Sequence, residues 1–137
     1  MSLVQALQAS LAVEQQVVYG YGVLGPQLRR TAKTYAADCV AAHMTHRDAV
    51  AALVSAAGAT PVAPAPAYQL PFQVSNPSSA RRLAVRLEQA SAGATWDLIS
   101  ASSPGSPARS SSVGWLTDAA VRLEHWGAEL ALPGQPD

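Results

Sequence analysis

A single cysteine, Cys39, stands in a chain of 137 residues, so no intramolecular disulfide framework holds the fold, and a reducing compartment suits it. Charge of either sign is sparse. Nine basic and nine acidic residues cancel to a formal net charge of zero, which leaves no global field to concentrate the protein on nucleic acid or an anionic membrane. Arg81, Arg82 and Arg86 form the densest basic group besides Arg29 and Arg30. With no aromatic platform beside them they read as a solvated helix face. No apolar run approaches the length of a membrane span. No lysine or arginine precedes Arg29, so the amino terminus lacks the basic n-region of a signal peptide. A cytoplasmic protein is the expectation, and a chain trimmed of a leader would read the same way. A Gly-x-Ser-x-Gly elbow, a phosphate-cradling glycine loop and a Cys-x-x-Cys knuckle are also missing, which leaves hydrolase and transferase chemistry without a signature.

Aromatic residues are only 6% of the chain, while hydrophobic residues are 49% and alanine is abundant. That mix favours closely packed helices over sheet, and the length suits one domain with one core. The expected class is all-α. Ser2 followed by Gln5 is the signature of a capping box and starts helix one. Its stripe is Val4, Leu7, Leu11, Glu14, Val18 and Tyr21, and it runs into Gly20, Gly22 and Gly25, where a turn becomes easy. Proline at the first helical position opens the other three helices, at Gly25-Pro26, Asn76-Pro77 and Ser106-Pro107. Helix two is expected from Pro26 to Gly58, on Ala32, Ala36, Cys39, His43, His46, Val50, Leu53 and Ala57. Helix three is expected from Pro77 to Ala101, on Ala80, Leu83, Leu87, Ala90, Ala94 and Leu98. Helix four is expected from Pro107 to Leu132, on Val113, Leu116, Ala120, Leu123 and Leu130, stopped by Pro133-Gly134.

Short links make antiparallel hairpins of helices one and two and of helices three and four. Between the hairpins lies Ala59 to Asn76, with Pro61, Pro64, Pro66 and Pro71. Extended at about 3.1 Å per residue, it spans helix two and delivers helix three parallel to it. One long crossover joining two hairpins is the topology of a ferritin-like four-helix bundle. Tyr68, Leu70, Phe72 and Val74 alternate in the connector and are expected to lie against the bundle. Trp96, Trp115 and Trp126 are expected to pack between helices, with a dimer patch as the alternative.

Glu14 interrupts an apolar stripe, so it needs a partner, and the imidazoles of His43 and His46 sit mid-stripe on helix two. Ferritin-like di-metal sites take a Glu from each of two helices and a Glu-x-x-His from each of the other two. Glu14 fits helix one and Glu88 fits helix three, but helix two offers His43-x-x-His46 and helix four offers Arg122-x-x-His125. Two carboxylates are missing, and one position holds a permanent cation that does not coordinate metal. Three readings stay open. Glu14 forms an internal ion pair with protonated His43, or with Arg47 one turn on. Glu14, His43 and His46, with Glu88 as a further candidate, hold a single transition metal. Or a small-molecule pocket is floored by Glu14 and roofed by Tyr68 to Phe72. The first is preferred. It makes the protein a non-catalytic bundle without a cofactor, self-associating as a dimer, with no nucleic-acid or membrane partner and an unknown small-molecule ligand.

Four segments carry a family resemblance. They are Glu14-Gln15-Gln16-Val17-Val18-Tyr19-Gly20-Tyr21-Gly22-Val23, His43 followed by Arg47-Asp48-Ala49, and Ala57-Gly58-Ala59-Thr60-Pro61 with Ala67-Tyr68-Gln69-Leu70-Pro71-Phe72. Together they resemble the ferritin-like domain of unknown function found in actinobacteria. The resemblance implies a ferritin-like bundle, an actinobacterial source, no assigned activity, and an inward cluster of Glu14, Tyr19 or Tyr21, His43 and Arg47. His46 departs from the family pattern, in which another basic residue is common.

Overall fold

Ser2 opens the first helix as its sequence predicts. Its side chain accepts the Gln5 backbone N–H at 3.1 Å, and the Gln5 side chain accepts the Ser2 N–H at 2.8 Å. The computed structural model describes residues 1–127. Among these there are four α-helices and no strand, and no helix is long and apolar enough to cross a membrane. Helix α1 spans Leu3–Leu24, α2 Arg30–Ala56, α3 Pro77–Ala101 and α4 Pro107–His125.

Pro26 does not open helix two. Gly25–Gln27 forms one turn of 3-10 helix, Leu28 and Arg29 are extended, and α2 begins four residues later than Pro26 at Arg30. The extra step buries Leu28 in the core beside Leu24. Arg30 then takes a φ of 55°, a left-handed conformation that is uncommon without glycine. At the far end of α2, Gly58 has the positive φ, 84°, of a helix terminator. Asn76 and Ser106 cap α3 and α4 by accepting the N–H groups of Ser79 and Arg109.

The helices pair as a ferritin-like bundle. Tyr21 meets Glu88 while Glu14 meets Ser91, so α1 and α3 run antiparallel. Tyr21 clusters with Cys39, and Leu7 clusters with Val50 and Val54, so α1 and α2 also run antiparallel. Helices α2 and α3 are therefore parallel, and the connector makes the long crossover. It follows α1, from Gln8 at its Thr60 and Val62 end to Tyr19 at Tyr68. Further along it, Phe72 lies beneath the Arg82 guanidinium.

The α4 stripe differs from expectation. Its buried residues are Ala108, Ser112, Ala119 and Leu123, followed by Trp126, whereas Val113 is 52% exposed. Small residues let α4 approach its neighbours closely, and Ala and Ser carry too weak a hydrophobic signal to mark that face. On α3, Ser91 and Thr95 are buried where Ala90 and Ala94 were expected. Trp126 is core and Trp115 half-buried, but Trp96 is 60% exposed. The expected end of helix four at Leu132, its Leu130 and the Pro133-Gly134 stop lie outside the described residues.

Gly20 packs against the Leu87 side chain of α3. A Cβ there would lie 2.7 Å from Leu87 Cδ1 and 2.9 Å from Cδ2, so Leu87 would have to move inside a packed core. Gly20→Ala is expected to lose about 1 kcal/mol net, because a steric cost of roughly 1–3 kcal/mol outweighs about 1 kcal/mol of helix propensity. At Gly22 an added Cβ meets nothing within 4 Å, so Gly22→Ala is expected to gain up to about 1 kcal/mol. Urea denaturation of both variants checks the contrast, and a stabilised Gly20→Ala would refute the close-approach role.

Candidate functional site

Two apolar clusters, one around Leu7, Leu11 and Leu98 and the other around Tyr21, Leu24 and Leu83, flank a polar layer contributed by all four helices. Glu14, His43 and Glu88 are each fully buried in it. His43 Nδ1 lies 2.6 Å from Glu14 Oε2, and Nε2 lies 2.7 Å from Glu88 Oε1. A carboxylate only accepts, so a ring flanked by two of them donates from both nitrogens and is an imidazolium. Ser91 donates to Glu14 Oε1 at 2.6 Å. Arg122 Nε donates to Glu88 Oε2 at 2.9 Å, and Tyr21 donates to Glu88 Oε1 at 2.6 Å. The Trp126 indole N–H in turn donates to the Tyr21 hydroxyl at 3.0 Å. Two carboxylates and two cations make the layer neutral, which is how buried charge is tolerated.

The electrostatics follow from that geometry. Burial by itself disfavours a charged His43, but hydrogen bonds to Glu14 and Glu88 and their negative charge outweigh it and push the ring up to about 9. Burial likewise opposes ionisation of Glu88, and His43 and Arg122 overcome it, holding the carboxyl below its usual range. The Arg122 guanidinium loses solvation but gains more from Glu88, so its pKa rises. Burial and the adjacent Glu88 raise the Tyr21 phenol well above its ordinary value.

His46 differs from the rest of the layer. It is 3% exposed, and its Nδ1 lies 3.3 Å from Glu14 Oε1. That contact is not aligned as a hydrogen bond, and neither ring nitrogen has a hydrogen-bond partner among the described residues. Burial, only partly offset by Glu14, pushes its pKa down to about 4, so the ring is neutral. It stacks on Trp115 with centroids 4.1 Å apart.

Of the residues singled out from the sequence, Glu14, Tyr21, His43, His46 and Glu88 come together, and Tyr19 and Arg47 do not. Tyr21 is seven residues from Glu14, nearly two full turns, and so shares its face, while Tyr19 is turned about 140° away. Tyr19 instead lies edge-on to Tyr68, with centroids 5.6 Å apart. Arg47 points outward and bonds Asp48 Oδ1 through Nε at 3.1 Å. The arginine of the layer is Arg122, from helix four. Its place in Arg122-x-x-His125, aligned with a template carboxylate, was the signal for it, since that alignment sets it level with Glu88. Nor does Glu14 floor a pocket: His43, His46 and Ser91 enclose it.

A ferritin-like fold raises the question of metal. Two metals do not fit, because among the described residues the layer holds only two carboxylates, and the Arg122 guanidinium occupies the outer oxygen of Glu88. One metal would fit the donor set once His43 gave up the proton that Nδ1 shares with Glu14. Glu14, His43 and His46 each offer one ligand atom within 4.8 Å of the others, and His46 is buried with no hydrogen-bond partner among the described residues.

Comparison with solved structures agrees with this architecture. A conserved hypothetical protein from Mycobacterium tuberculosis is 35% identical, with a TM-score of 0.85 over 92% of this chain and 95% of that one. A dodecameric thioferritin, the bacterioferritin-related protein of Bacteroides fragilis, is 14% identical, with a TM-score of 0.75 over 90% of this chain and 81% of that one, and shares the fold. A search of curated proteins finds no match. The family model described as Domain of unknown function (DUF4439) matches residues 6–137, and the chain belongs to that family.

Proposed function

We propose that the protein is a non-catalytic ferritin-like bundle whose inner site has become a self-neutralising ionic layer, with the His43 imidazolium and the Arg122 guanidinium standing where metal ions stand in the ferritin-like template. The observation that carries this reading is His43 bonded at both ring nitrogens, 2.6 and 2.7 Å from two fully buried carboxylates. It requires no cofactor. Self-association as a dimer belongs to the same reading, supported by the exposed Met44, Val113, Val121 and Trp96 and by the dodecameric assembly of the Bacteroides relative. A cytoplasmic setting and an actinobacterial source complete it, the latter supported by the mycobacterial relative.

The test is elemental analysis of protein purified without chelator, paired with thermal melting. The expected result is sub-stoichiometric iron, zinc, manganese and copper, with no rise in Tm when any of them is added. A bound ion stabilises a fold by about 2.7 kcal/mol at a hundredfold excess over its Kd, so a genuine site would show plainly. Stoichiometric metal, or such a rise abolished by His46→Ala, overturns the reading.

The nitrogens of His46, unpartnered among the described residues, favour a second reading, a mononuclear metal protein. Glu14, His43 and His46 would hold the ion, and it would supply a Lewis acid with open coordination positions. This chain's own residues then orient the ligands, since Ser91 holds Glu14 and Glu88 holds the far side of the His43 ring.

A further inference from the structure

Tyr19, Arg47 and Tyr68, which the ionic layer does not use, meet where the connector crosses the groove between α1 and α2. The connector is clasped there at fixed points. Gln8 donates to the Thr60 carbonyl at 2.7 Å and accepts the Val62 N–H at 2.9 Å, and Gln15 donates to the Val62 carbonyl at 2.8 Å. The Ala65 N–H donates to the Tyr68 hydroxyl at 2.8 Å, which braces the roof from within. A cavity of about 320 Å³ remains beneath it, within the range of small-molecule sites.

Leu11, Val18, Ala51 and Pro64 give this cavity apolar walls, Tyr19 and Tyr68 give it aromatic faces, and Arg47 and Asp48 give it charge. The guanidinium is oriented and still available. Asp48 holds Nε at 3.1 Å, and no other hydrogen bond to a described residue engages the two terminal nitrogens. A guanidinium fixed in this way can receive a carboxylate in a bidentate pair. The second oxygen of Asp48 is left to take an ammonium group on the same ligand. Because prolines and side-chain clasps already hold the roof in place, little ordering is needed on binding.

We propose that this cavity is a binding site for a small carboxylate with an aromatic or branched apolar body, a class that includes free apolar α-amino acids. The full chain is titrated by two-dimensional amide NMR with 3-phenylpropionate, L-phenylalanine and, as a control, 2-phenylethylamine. Saturable shifts at Ala51, Val62, Ala65 and Tyr68 are expected with both carboxylates and not with the amine. Tighter binding of phenylalanine, lost in Asp48→Asn, would assign the natural ligand to amino acids, and equal binding would assign it to simple carboxylates. Arg47→Met keeps the apolar stem and is expected to weaken either carboxylate at least about tenfold. The proposal is overturned if neither carboxylate saturates, if the amine binds as well, if the shifts map elsewhere, or if Arg47→Met binds unchanged. Arg47 lies outside the ionic layer, so these results are independent of the metal analysis.

Discussion

His43→Ala is expected to destabilise the protein by about 3–5 kcal/mol, the usual cost of breaking a buried ion pair by removing one partner. The wild-type ring neutralises two carboxylates at once. Without it Glu14 keeps the Ser91 hydroxyl and the unaligned His46 ring, while Glu88 retains Arg122 and Tyr21, so the larger part of the loss belongs to Glu14. A cavity alone can cost a similar amount at a buried position, and a double-mutant cycle separates the two. Glu14→Gln and His43→Gln keep side-chain volume, and their coupling should exceed about 1 kcal/mol in urea denaturation if charge pairing is the cause. A loss below about 1 kcal/mol in His43→Ala, or no coupling in the cycle, would sink the ionic-layer reading. Replacing the whole set by well-packed apolar residues is a different experiment, because it removes the desolvation cost along with the attraction.

The second large effect is on pH. His43 titrates at about 9 in the fold, above the ordinary 6.5, so folding favours its charged form. Its stabilisation is fully present below pH 6.5, declines as pH rises, and is gone above about 9. A shift of that size corresponds to roughly 3 kcal/mol. His46 has the opposite sign. Folding lowers its pKa to about 4, so its contribution is complete above pH 6.5 and lost as pH falls through 4. Stability should therefore peak near neutrality and fall on both sides. Burial pushes the Cys39 thiol up to about 11 from 9.0 and the Tyr35 phenol to about 12 from 10.0, so their alkaline losses set in only where the unfolded groups ionise, above most of the window in which His43 acts. Denaturation midpoints measured from pH 4 to 9 are expected to show both limbs, with His43→Gln losing most of the fall between pH 6.5 and 9 and keeping the acid limb. A wild-type midpoint that stays flat between pH 6.5 and 9 would contradict an imidazolium at His43.

Local chemistry made much of this architecture legible. The Ser2 and Gln5 capping box, the Asn76-Pro77 and Ser106-Pro107 starts and Gly58 each act within a few residues, so they place helix ends without knowledge of the rest of the chain. Pro26 misled because proline suits the first position of a 3-10 turn as well as that of an α-helix, and the burial of Leu28 then decided where α2 begins. The anomaly of Glu14 was equally readable, since a carboxylate within an apolar stripe must face the core or break the pattern.

The sequence by itself determined the class, the four helices, the crossover and the inward direction of Glu14, His43 and His46, because helical periodicity fixes which side chains share a face. Only the tertiary structure decided the partners. Arg47 lies four residues from His43 and Arg122 lies 79 away, yet Arg122 reaches the layer because α3 and α4 bring it to Glu88, while Arg47 is drawn outward to Asp48. Distance along a chain limits which residues can meet within one helix. Between helices the meeting level is set by packing, which here includes Leu87 against Gly20 and the small buried face of α4, and neither carries a hydrophobic signal strong enough to read in advance.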